Sequence, residues 1–114
     1  MFKLVFFVPP LYVDEVKLAL FEAGGGRYEK YDFCSWQTMG TGQFRPLQDS
    51  NPFIGRHGEV ERVEEYRVEI LLRDDLVVPA VRALVAAHPY EEPAYEVYRV
   101  YQLPELEGGD VPGL

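Results

Sequence analysis

One cysteine, two histidines and no concentration of positive charge set the first limits on this 114-residue chain. With Cys34 alone, no disulfide can form inside it, so burial and hydrogen bonding must hold the fold. Eleven Lys and Arg are scattered among nineteen Asp and Glu, for a net charge of −8 and a pI near 4.7. Binding a phosphate backbone requires a basic face that displaces counterions, so no nucleic-acid partner is expected. Long apolar runs are missing too, and with them a membrane span. After Met1, FKLVFFVPP is short and ends at Pro9-Pro10, unlike a secretory leader, which makes the cytoplasm the expected location.

What is present is apolar material: 47% hydrophobic and 14% aromatic residues, enough for one small core. We expect a single domain over residues 1–103 and a flexible acidic tail over 104–114, PELEGGDVPGL being rich in Gly and Pro. A domain this small has a high surface-to-volume ratio, which favours self-association.

Residues 2–8 are apolar on both alternating faces, as in a central strand. Val13, Val16, Leu20 and Ala23 recur at helical spacing over 11–23, and Gly24-Gly25-Gly26 stops that helix. YDFCSWQT, residues 31–38, reads as a second strand. Residues 60–72 read as a third, with Tyr66, Val68, Ile70 and Leu72 on one face, Glu61, Glu65, Arg67 and Glu69 on the other, and an edge-like charged first half. A second helix is expected over 75–87, with Pro79 tolerable only in its first turn, and a last strand over 95–101. The order βαββαβ predicts an α+β, ferredoxin-like sandwich: a four-stranded antiparallel sheet with two helices on one face. Strands apolar on both faces imply that copies of the chain cover the open one, in a closed homo-oligomer.

Residues 40–58, GTGQFRPLQDSNPFIGRHG, fit neither period. Glycines and prolines shape this run while Phe44, Leu47, Phe53 and Ile54 give it something to bury, so we expect a packed loop with either a binding or a structural duty. HPYEEPAY, residues 88–95, is the second dense segment. It reads either as a rigid helix-to-strand connector or as a divalent-metal site in which His88 gives nitrogen and Glu91 or Glu92 oxygen, with His57, Cys34 or Glu59 completing the set. His88 at a helix end also suits an imidazolium. Cys34, between Phe33 and Trp36, reads as a packing residue ahead of a nucleophile. The glutamates from Glu59 to Glu69 read as a solvated face, and Tyr90, Tyr95, Tyr98 and Tyr101 suit an interface with wet hydroxyls.

RALVAAHP followed by HPYEEPAYEVY resembles the CutA family, trimeric proteins of the PII-like superfamily whose second helix ends in a similar H-P-Y-E-x-P segment. KLVFFVP, FEAGGGR, Y-x-x-C-S-W, G-T-G-Q-F-R-P, N-P-F-I-G and HPYEEPAY, in that order, resemble more closely the PII-like domain inserted in YqfO proteins of the NIF-three-like family. The flanking domains that hold that family's di-metal site have no counterpart in these 114 residues, so hydrolase or cyclohydrolase activity does not carry over. The resemblance implies a trimer or a dimer of trimers with ligands in clefts between subunits.

The leading expectation is a non-enzymatic, oligomeric binding or regulatory module for a small molecule or divalent metal, with Arg45, Phe44, Asn51, Glu91 and Tyr90 as ligand contacts. One alternative is a metal-assisted hydrolase using Cys34, His57, His88 and Glu91. Another is a purely structural assembly unit.

Overall fold

β1, Phe2–Val8, is the strand around which the sheet is built. In the computed structural model, which describes residues 1–109 and 111–113, it pairs antiparallel with β3 (Glu61–Leu72) on one side and β4 (Tyr95–Arg99) on the other. β2 (Trp36–Phe44) pairs antiparallel with the far side of β3, for a strand order β2-β3-β1-β4. Helices α1 (Val13–Glu22) and α2 (Val77–Ala87) share one core with the sheet. The architecture is the expected ferredoxin-like sandwich.

The register explains the core. Leu4 faces Ile70 and Phe6 faces Val68, so both apolar sets emerge on the same side of the sheet. Val16 and Leu20 of α1 and Ala80 and Leu84 of α2 close over them, all fully buried. Each buried Leu or Phe side chain contributes about 1.5–3 kcal/mol. Pro79 is the third residue of α2, where its missing N–H breaks no helical bond. α1 stops where Gly24 and Gly26 take φ of +97° and +72°, and the Gly25 N–H donates to the Leu20 carbonyl at 2.9 Å. A Cβ on Gly25 would lie 3.1 Å from that carbonyl and from the Leu72 side chain, so glycine also permits this close packing.

Several boundaries differ from those the sequence predicts. β2 begins at Trp36, not at residue 31, because residues 28–34 curl into a loop: the Tyr28 N–H donates to Tyr31 O, the Cys34 N–H donates to Gly26 O, and Phe33 adopts φ +55° with its ring stacked on Phe21 at 4.7 Å. β2 then runs on through Gly40–Phe44, which the sequence assigned to the long loop. Pairing with β3, from Gly40 opposite Glu65 to Phe44 opposite Glu61, overrides the weak strand propensity of glycine. The irregular segment is therefore 45–60. β4 ends at Arg99, two residues early, and in the tail residues Leu103–Gly108 form α3, with a capping box between Gln102 and Glu105. The tail expectation also covers residues 110 and 114, which lie outside the described residues.

The charged first half of β3 is edge-like as expected: Glu61 to Glu65 extend past the end of β1, whose last partner is Tyr66, and pair only with β2. The open face is mixed, carrying Trp36, 58% exposed, beside an ion-pair ladder in which Glu69 meets Lys3 at 3.0 Å and Arg67 at 3.4 Å. Among the described residues no helix is long and apolar enough to cross a membrane.

Candidate functional site

His88 caps α2 in extended conformation, with ψ 137°, because Pro89 bars its own preceding residue from helical angles. The turn carries the imidazole under β1: Nε2 lies 2.6 Å from the Phe7 carbonyl oxygen. On the other side, the Tyr90 N–H donates to Nδ1 at 3.1 Å. Since Nδ1 must accept, the proton sits on Nε2 and the ring is neutral. Burial pushes the His88 pKa below its ordinary value, against the opposing pull of the Phe7 carbonyl and the Glu65 charge. The imidazolium suggested by the helix dipole is thus corrected: with 6% of the residue exposed, desolvation outweighs the dipole.

Held by His88, the connector turns Tyr90 across the sheet edge to the open face. Its hydroxyl donates to Glu65 Oε2 at 2.8 Å, and burial together with this bond raises the phenol pKa. Tyr90 is therefore an internal tie and not one of the wet interface tyrosines. Glu65, expected in a solvated row, is 9% exposed. It fits because Gly42, diagonal to it on β2, has no side chain: a Cβ there would collide with Glu65 Oε1 and stand 2.9 Å from Cδ. No signal in the sequence separated Glu65 from Glu61 or Glu69; only the β2–β3 register does.

The segment 45–60 folds back on itself and on the domain. Gly58 N–H donates to Pro46 O at 2.8 Å, His57 Nε2 lies 2.8 Å from Ser50 O, and Phe53 packs edge-on against Tyr12 at 5.5 Å. The Asn51 N–H donates to Glu91 Oε2 at 2.8 Å, clasping the loop to the connector. Between the strands, the loop and the connector lies a cleft of about 890 Å³. Its walls include Phe44, Arg45, Tyr90 and Glu91, and Asn51 stands at the clasp, so the five residues proposed as ligand contacts come together.

The metal set does not come together. Among the described residues no three His, Cys, Asp or Glu side chains group around one point. Both His88 nitrogens are engaged, His57 turns to its own loop, and Cys34 lies in the loop after α1, with Sγ 3.6 Å from Asp32 O. Glu91 and Glu92 line the cleft without either histidine. The convergence that a hydrolase built on Cys34, His57, His88 and Glu91 requires is absent from this arrangement.

No protein-family model matches the chain. It is 43% identical over 98 residues to a GTP cyclohydrolase 1 type 2 homolog of Halalkalibacterium halodurans, covering 86% of this chain and 26% of that protein. Among solved structures it resembles a Bacillus cereus protein related to NIF3, at 40% identity and a TM-score of 0.77, over 89% of this chain and 26% of the other. The PII-like protein CutA from Nostoc shares the fold at 17% identity, with a TM-score of 0.66 over 93% of this chain and 89% of the other. The chain thus spans about a quarter of the length of the relatives it matches at high identity and nearly all of the CutA chain.

Proposed function

Because this chain matches one segment of the GTP cyclohydrolase 1 type 2 homologs and carries the CutA fold, we propose that it is a non-enzymatic binding or regulatory module that takes a small molecule in the β2–β3 cleft. The observation that carries this reading is the clasp between Asn51 and Glu91. It helps gather separate stretches of sequence into one concave site of a size suited to small ligands, with Phe44, Phe53 and Tyr90 among its walls. Among the described residues neither cysteine nor histidine lines it: Cys34 is elsewhere and His88 is spent on structure.

We further propose that it works as a homo-oligomer. β4 is exposed along its whole length and Trp36 stands open on the uncovered face, surfaces that a second copy would bury. A lone cysteine fits a reducing compartment such as the cytoplasm.

Native mass spectrometry of the freshly purified protein tests both parts. An assembly that retains a small organic mass per subunit is expected, and Arg45→Ala with Glu91→Ala should shed that mass while the assembly persists. A bare monomer would overturn the reading.

A further inference from the structure

The carboxylate in the floor of the cleft is incompletely compensated. Glu65 is more than nine-tenths enclosed, and its Oε2 is taken by the Tyr90 hydroxyl. Oε1 has no hydrogen-bond donor among the described residues, and none of their fully buried side-chain polar atoms lacks a partner, so Oε1 opens into the cleft. A buried carboxylate with one neutral donor has given up more hydration than it has recovered. A positive group brought to Oε1 would recover it.

The surroundings favour a particular kind of positive group. Phe44 and Phe53 stand 6.4 and 6.3 Å from Tyr90, centroid to centroid, each tilted 47° to it, and all three line the cleft. Aromatic faces attract organic cations, whose charge is spread over methyl and methylene groups that the rings also desolvate. Asp49, Glu91 and Glu92 add further negative charge; with Glu65 these carboxylates outnumber Arg45 and Arg67 in the walls, and Arg67 is turned toward Glu69. A bare metal ion fits poorly, since among the described residues no group of three His, Cys, Asp or Glu side chains gathers around Glu65.

We infer that the cleft takes an alkylammonium ligand, its charged nitrogen against Glu65 Oε1 and its carbon groups against Phe44, Phe53 and Tyr90. This specifies the ligand class for the binding-module reading and rests on it. Gly42 is then a positioning residue, because its missing Cβ leaves room for the carboxylate that receives the cation.

Calorimetric titration of the whole protein with choline, its neutral isostere 3,3-dimethylbutan-1-ol and the anion 3,3-dimethylbutanoate tests the inference. Choline should saturate and bind about tenfold or more tighter than the alcohol, with no binding of the anion. Glu65→Gln keeps an acceptor for Tyr90 and should weaken choline by about tenfold or more without unfolding the protein. If that variant fails to fold, Phe53→Leu on the exposed loop should weaken choline about threefold. Equal binding of choline and the alcohol, preference for the anion, or unaltered choline affinity in the variants would overturn it. Failure of choline to bind while native spectra show another retained molecule overturns the ammonium class alone; failure of choline with no retained mass overturns the binding-module reading as well.

Discussion

The Tyr90 hydroxyl donates to Glu65 Oε2 at 2.8 Å, joining the segment after α2 to the middle of β3 on the face opposite the helices. One bond thus links the helix-to-strand connector to the floor of the cleft. Tyr90→Phe removes it while keeping the ring, and leaves a buried carboxylate without its donor. Chemical denaturation should show a loss of about 2 kcal/mol, since bonds to charged groups contribute more than neutral ones. An unchanged midpoint would mean that water replaces the hydroxyl at no cost.

His88 gives the fold a dependence on acidity. Its pKa is lower in the folded state than the ordinary 6.5, so on acidification the unfolded chain takes up the proton first. Its contribution to stability is complete above about pH 6.5 and is lost as pH falls from there toward the folded value. Denaturation series at pH 7.5, 6.5 and 5.5 should show the wild type losing more stability over this window than His88→Gln. Parallel curves would contradict the assignment of the neutral ring.

Gly40 and Gly42 sit on the same face of β2, yet their substitutions should differ. At Gly40 a Cβ meets nothing within 4 Å, and Gly40→Ala should leave the melting temperature unchanged or raised. At Gly42 it collides with the Glu65 carboxylate, and Gly42→Ala should cost about 1–3 kcal/mol as that group is displaced. Equal effects in thermal melts would show that the β2–β3 register is not the one described.

The clasp between Asn51 and Glu91 is open to a local measurement. Glu91→Ala removes the acceptor of the Asn51 N–H, and exchange of that amide should quicken with little change in global stability. Glu91→Gln retains an acceptor and should restore most of the protection. If the alanine variant exchanges as slowly as the wild type, the loop is fixed by other contacts.

Patterns with a strong period were legible from the residues. Strict alternation in Val68, Ile70 and Leu72 and the three- and four-residue spacing of Val13, Val16 and Leu20 gave β3 and α1 closely, because their buried faces are decided by local spacing. β2 was misplaced because its aromatic lead-in, Tyr31 and Phe33, belongs to a loop stapled by Gly26, while its glycine-rich end is a strand only through pairing with β3. The same cause hid Glu65: its burial depends on the missing side chain of Gly42, a residue far away in sequence. Arg45, Phe44, Tyr90 and Glu91 were legible as a group because both parent segments stood out by composition. His88 is legible as part of a rigid connector, but nothing in the sequence shows that the Phe7 carbonyl would meet its ring.

β3 changes character at Tyr66. From Tyr66 to Glu69 it is flanked by β1 and β2, whereas from Glu61 to Glu65 only β2 holds it. Backbone with one ladder opens more readily than backbone with two, so hydrogen exchange should step up on passing from Tyr66 to Glu65. Glu65 is the first residue on the looser side, and it is also tied through Tyr90 to the rigid end of α2. A ligand that grips this residue would therefore hold the outer ribbon of β2 and Glu61–Glu65 to the end of α2, and occupancy of a small hollow would be read as slower amide exchange along that ribbon.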